Sequence, residues 1–283
     1  MLMSIDQPLD LASTLLSGQA FRWRQEGTWF HGVVFGNSVM IRPSEGGVEL
    51  LSSPDDERAL APLLRDYLGL DTDLDGIYAS LSRDDRLRAA IGRYPGMRVL
   101  RQDPWECLIS FICSSASNIR RITGNVESIC TSFGRPISMD GPVRHTFPTP
   151  HELARADASE LRELGLGYRA EYIAATARTV AAGDVDLMSL REDSYDDALQ
   201  ALVALDGVGD KVANCALLFA LDKLDAFPVD VWIERALSEW YLDGRKLSRR
   251  DMRLWARDHF GPYSGYANHY LFYDRRLMGA RSQ

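Results

Sequence analysis

The sequence predicts an α+β protein: an N-terminal antiparallel β-sheet domain, then an all-helical body. Three observations carry this. The stretch WFHGVVFGNSVMIRP at 29–43 alternates apolar and polar residues around Gly36-Asn37, a pair that favours a hairpin turn. From Asp103 onward the apolar residues recur with helical spacing, punctuated by capping residues and glycines. The chain has 283 residues, 46% hydrophobic and 25% charged, an ordinary globular composition with room for one large or two modest domains. The division is placed at residue 100: 1–100 for the sheet with flanking helices, 101–283 for the helices.

Taken in order, EGG at 45–47 marks a second turn and is followed by VELLSS, which makes the first strands a meander. DDERALAPLLRDYLGL (55–70) and SRDDRLRAAIGRY (82–94) are helical patterns. Asp103-Pro104 reads as an N-cap followed by proline at the first helical position. The run 105–134 is helical with small polar residues in its middle, where a break is expected. GPVRHTFPTP (141–150) is a loop. ASELRELG, RAEYIAATARTVAAG and SYDDALQALVAL predict three amphipathic helices, two of them ending at glycine. A helix over 210–221, another from Asp230 and two more complete the chain.

Composition excludes several classes. No apolar run approaches the roughly 20 residues of a membrane helix. MLMSIDQPLD has two aspartates and no basic segment, unlike a signal peptide. Cys107, Cys113, Cys130 and Cys215 form no CxxC or repeated spacing, so neither metal nor iron–sulfur cofactor is expected. They read as reduced thiols of a cytoplasmic protein. The net charge of −8 argues against a generic basic nucleic-acid binder. Its distribution does not: residues 151–206 hold twelve acidic and five basic side chains, while 244–283 hold nine basic and three acidic. A local positive surface can still hold DNA phosphates, because screening confines the repulsion to about 8 Å.

The segment LDGVGDKVA (205–213) lies between two helical patterns. Gly207 and Gly209 around Val208 allow a tight turn between helices, and the N–H groups opening the second helix can then hold an anion such as a DNA phosphate. An ordinary interhelical turn fits the same tripeptide. Lys211 follows in a chain with three lysines and 29 arginines. Of the two, only lysine can lose its proton and attack carbon. It lies one turn before Cys215 on an apolar helix face, where partial desolvation favours the neutral, nucleophilic amine. A lysine snorkelling from a helix start fits equally. Asp230, in PVDV, fits a helix N-cap; a carboxylate there can also stabilise a developing cation.

At these residues the chain resembles the helix–hairpin–helix, Gly/Pro-Asp DNA glycosylases, and within them the 8-oxoguanine DNA glycosylase/AP lyases of eukaryotic type. SGQAFRWR (17–24), LRQDPWECLISFICSS (100–115), NIRRITG (118–124), LGLGYRAEYI (164–173), LDGVGDKVANC (205–215), PVDV (228–231) and GPYSGYANHYLF (261–272) occur in the family's order and span nearly the whole chain. The resemblance implies a helical body of two subdomains containing a helix–hairpin–helix. It also implies extrusion of the damaged nucleotide into a pocket. In the family, the lysine matched by Lys211 attacks C1′ and displaces the base, and the resulting Schiff base permits β-elimination. Asp230 matches the essential aspartate.

Further roles follow from the resemblance. Gly18 matches the glycine whose carbonyl accepts the N7–H present only in the oxidised base. Cys215 and Phe272 match the residues that sandwich the purine, although core packing explains both without the family. Asn268 stands where the family has glutamine at the Watson–Crick edge of the base, and its amide reaches one methylene less far. Arg121 and Arg169 match the readers of the orphaned cytosine, and Tyr168 the wedge in the vacated stack. Asn118 matches a family asparagine, but Ala116 replaces the one that helps hold the helix open. Gly207, Val208, Gly209 and Trp232 fall on the DNA-facing turn and rim, Trp232 replacing a histidine. The expected partner is double-stranded DNA containing 8-oxoguanine opposite cytosine, bound by a monomer without metal or cofactor. A glycosylase for alkylated purines and a non-catalytic DNA-binding protein are the competing readings. Lys211 counts against the first and the retained Lys211 and Asp230 against the second.

Overall fold

The computed structural model describes residues 1–139 and 141–281. Five strands, β1 (Leu2–Ser4), β2 (Arg24–Glu26), β3 (Trp29–Val34), β4 (Asn37–Ser44) and β5 (Gly47–Ser53), form an antiparallel sheet in the order β1-β5-β4-β3-β2. Alternation explains its one-sidedness: Val39, Ile41, Val48 and Leu50 face a core closed by Leu60 and Leu64 of the helix Glu57–Tyr67. The first hairpin turns one residue earlier than the sequence suggests. Phe35 and Gly36 take positive φ (49° and 76°), while Asn37 pairs with Val34. Asn37 is free to be a buried strand residue because Asp55 satisfies its amide. Its Nδ2 donates to Asp55 Oδ2 at 3.0 Å, and Asp55 N donates to Asn37 Oδ1 at 2.8 Å.

The larger, helical core also takes side chains from before residue 100. The helices Leu74–Leu81 and Asp85–Arg93, assigned by the division at residue 100 to the sheet side, bury Leu74, Ile77, Leu81, Leu87 and Ile91 in the helical core. Apolar stripes on short helices pack where partners lie, whatever their place in the sequence. Between the two cores runs the segment 17–22. Gln19 Nε2 donates to Thr14 O (2.7 Å) and Arg98 O (2.8 Å), and its Oε1 accepts from Leu100 N (2.9 Å). Arg22 is pinned on the body by Glu127 (3.2 Å).

The break expected within 105–134 is present. Pro104–Cys113 is capped by Asp103, and Ile119–Phe133 restarts behind Asn118. The loop at 141–150 contains a short strand, Arg144–His145, paired with Pro136–Ile137, and ends in a capping box of Thr149 with Glu152. The helix expected at 158–165 is α-helical only over Ala158–Leu161. The helical path then breaks within the turn Arg162–Leu166, where Gly165 adopts φ 81°. The helices Arg169–Ala181, Tyr195–Val203, Asp210–Phe219 and Val231–Trp240 follow, and Ser264–Arg281 ends the described chain.

Candidate active site

The turn between Tyr195–Val203 and Asp210–Phe219 is set by one glycine. Gly207 has φ 74°, and a Cβ there would lie 2.5 Å from Tyr172 Cβ. Gly209 is extended (φ −84°, ψ 176°) with open space over its α-carbon, and the helix it begins has no side-chain cap. The first N–H groups of Asp210–Phe219 are therefore left available at the surface. Val208 is buried and anchors the turn from below. The turn is also fixed laterally: Thr176 Oγ1 donates to Asp206 O (2.9 Å), and Arg253 Nη2 pairs with Asp210 Oδ1 (3.1 Å).

Lys211, on the first turn of that helix, is half-buried and points into a cavity of about 600 Å³. Its Nζ donates to Ser114 Oγ at 2.8 Å and sits 4.8 Å from the centre of the Phe111 ring. Both partners come from the end of Pro104–Cys113 and the residue after it, so the helix break carries the amine's support. Neither Ser114 nor Phe111 stood out in the sequence, where they read as core and linker.

Asp230 lines the same cavity. Its Oδ1 accepts from Ile233 N at 2.8 Å, capping Val231–Trp240, while Oδ2 makes no hydrogen bond among the described residues. The cap and a chemical role are thus compatible, since they use different oxygens. Cys215 also lines the cavity. Burial pushes its thiol up to about 11, against the opposing effect of the Lys211 amine, so the sulfur is a neutral packing surface.

Gly18 reaches the cavity from the sheet side at φ 101°, and a Cβ there would lie 2.9 Å from Ile119 Cδ1. Arg276 holds the loop before it, donating from Nη1 to Ser17 O (2.8 Å) and Nη2 to Leu16 O (3.1 Å). Asn268 and Phe272 bring the last helix to the cavity. The Asn268 Nδ2 donates to Pro228 O at 2.8 Å, so one of its amide hydrogens is already committed. Trp232 stands at the rim, 40% exposed. Gly207, Gly209 and Asn118 complete the predicted residues that the fold brings to this space. The Asn118 Oδ1, however, is engaged as the N-cap of Ile119–Phe133 through Arg121 N (3.0 Å).

Besides Val208, three predicted residues lie outside the cavity lining, beyond the 114–118 break. Arg121 is exposed. Tyr168 is 51% exposed, its ring edge-on to Tyr172. Arg169 is buried, and its guanidinium bonds the carbonyls of Ser115, Ala116 (3.2 Å) and Leu166 (3.2 Å). Its donors thus face the protein. Of the bonds to Ser115 and Ala116 the sequence gives no sign, because they join residues more than fifty positions apart.

Among the described residues, no helix is long and apolar enough to cross a membrane, and no group of three or more His, Cys, Asp or Glu is placed to hold a metal ion. Residues 2–108 match the family model of the 8-oxoguanine DNA glycosylase N-terminal domain. The N-glycosylase/DNA lyase OGG1 of Arabidopsis thaliana is 35% identical, over 93% of this chain and 76% of that protein. The structure of MBOgg1 with a low-affinity DNA ligand superposes with a TM-score of 0.91 at 38% identity, covering 96% of this chain and 94% of that one. So does Clostridium acetobutylicum 8-oxoguanine glycosylase/lyase with double-stranded DNA containing cytosine opposite 8-oxoG, at 0.91 and 28% identity over 99% and 98%. With residues 109–257 matching the HhH-GPD model and the glycine turn, Lys211 and Asp230 set around one cavity, the chain belongs to the HhH-GPD superfamily of base excision DNA repair proteins.

Proposed function

We propose that this chain is a bifunctional DNA glycosylase/AP lyase that excises 8-oxoguanine from duplex DNA through a Schiff base on Lys211. The observation that carries the reading is the Lys211 amine, held on Ser114 Oγ inside a cavity that Asp230 and Gly18 share. The deprotonated amine attacks C1′ of the extruded nucleotide as the C1′–N9 bond breaks. The base leaves with the bonding electrons and takes up a proton. The free oxygen of Asp230 faces the charge that builds on the sugar. Ring opening gives an iminium, loss of a C2′ proton follows, and the C3′–O bond breaks to release the 3′ phosphate. Gly18 supplies a carbonyl acceptor for the N7–H of the oxidised base. The uncapped start of Asp210–Phe219 takes a backbone phosphate, a contact that positions without reading sequence.

The test is incubation with duplexes bearing 8-oxoguanine opposite each of the four bases, with borohydride present. The expected result is a covalent adduct strongest opposite cytosine. Adducts of equal strength on all four would remove Arg121 and Arg169 from reading the opposite base. No adduct on any duplex would reject the Schiff-base reading.

Ala116 bears on that preference. It sits at φ 47°, a conformation that costs alanine about 1–2 kcal/mol and that asparagine tolerates better. Ala116→Asn is expected to raise Tm by about 2 °C. It is also expected to strengthen preference for cytosine several-fold by restoring an amide beside the vacated stack. An unchanged melting curve with unchanged preference would contradict both effects.

A further inference from the structure

The wall of the cavity formed by the last helix contains a polar group that no role above uses. His269 is 2% exposed, lines the cavity, and makes no hydrogen bond to any described residue; its Nε2 is buried without a partner. It shares a helix face with Phe272 and Arg276, three and seven residues on. The ring of Phe219 meets it edge-on at 5.4 Å. Burial and the nearby Arg276 guanidinium depress its imidazole to about 3, which keeps it neutral. A neutral imidazole offers one donor and one acceptor. A buried polar atom without a partner is costly, and at a ligand cavity the ligand is the natural partner.

The neighbouring Asn268 makes the vacancy specific. Its amide is shorter than a glutamine's and gives one N–H to Pro228 O. The edge of a purine entering between Cys215 and Phe272 would therefore meet two adjacent polar groups, only one of which is partly committed. We propose that His269 is a specificity-determining contact of the extruded base, hydrogen-bonding its Watson–Crick edge beside Asn268. This rests on the 8-oxoguanine reading above and deepens it. Gly18 reads the oxidised five-membered ring, and His269 reads the opposite edge, so the two together separate 8-oxoguanine from other oxidised purines.

The test compares single-turnover release of 8-oxoguanine and 8-oxoadenine, each opposite cytosine. Both bases carry the N7–H and C8 oxygen that Gly18 meets, and they differ along the Watson–Crick edge. Wild type is expected to favour 8-oxoguanine. His269→Leu, which fills the volume without hydrogen bonding, is expected to shrink that ratio about tenfold. His269→Gln is expected to restore most of it. Borohydride trapping on an abasic duplex, which needs no base in the pocket, controls for folding and should match wild type in both variants. Should the leucine variant fail that control, His269→Ala takes its place. An unchanged ratio, or an equal slowing of both lesions, would overturn the assignment and leave His269 as packing. Wild-type protein that traps abasic DNA yet releases neither base would overturn the 8-oxoguanine reading and this contact with it. Absence of trapping even there would instead reject Lys211 as nucleophile.

Discussion

Lys211→Gln is expected to abolish borohydride trapping and to slow base release by on the order of 10⁴-fold or more, while lesion-containing duplex is still bound. Glutamine keeps a polar, flexible stem that can still reach Ser114 Oγ, but its amide nitrogen has no lone pair available for attack on C1′. Binding survives because the uncapped helix start and the cavity walls are untouched. Loss of the cation over Phe111 is expected to lower stability only modestly, by about 0.5–2 kcal/mol. Gel analysis of the trapped adduct checks the first effect and a fluorescence binding titration the second. The competing amines are few. Lys223 Nζ donates to Arg191 O at 2.6 Å, Met1 N donates to Leu50 O at 2.7 Å at the sheet, and Lys246 is exposed. An adduct persisting in Lys211→Gln would move the imine to one of these and refute the assignment.

Asp230→Asn separates two functions of one side chain. Asparagine caps a helix about as well as aspartate, and its Oδ1 can still accept from Ile233 N. Stability and DNA affinity are therefore expected to change little. The second oxygen becomes a neutral NH₂ that cannot balance positive charge on the sugar, so base release is expected to fall about 10²–10³-fold. Thermal melting, binding and single-turnover excision measured on the same preparation decide between outcomes. A fall in melting temperature and affinity matching the loss of rate would mean that the cap alone is at stake. Asp230→Ala should differ by adding a stability loss of about 1 kcal/mol.

The sequence was most informative where chemistry is local. Asp103-Pro104 and Asp230 cap the helices that their types and positions indicate. The alternation in 29–43 becomes β3 and β4, with the turn shifted by one residue because Asp55, eighteen positions away, satisfies Asn37. The break after Cys113 follows from its run of small polar residues. Which core takes the short helices of residues 74–93 is not legible in the sequence, since an apolar stripe does not name its partner.

The sequence by itself determined the chemical inventory of this protein. It contains a lysine behind a glycine turn, an aspartate in the PVDV segment, and motifs in a recognisable order, each fixed by residue type and spacing along the chain. The tertiary structure alone decided which groups serve those residues. Ser114 and Phe111 hold the Lys211 amine across 97 and 100 positions of sequence. Arg169 is folded inward onto Ser115 and Ala116, and His269 is brought to the cavity without a partner. The physical reason is one of range. Capping, turn and helix preferences act over a few residues, whereas hydrogen bonds, desolvation and cavity shape depend on side chains that meet only after the sheet and the helices have packed.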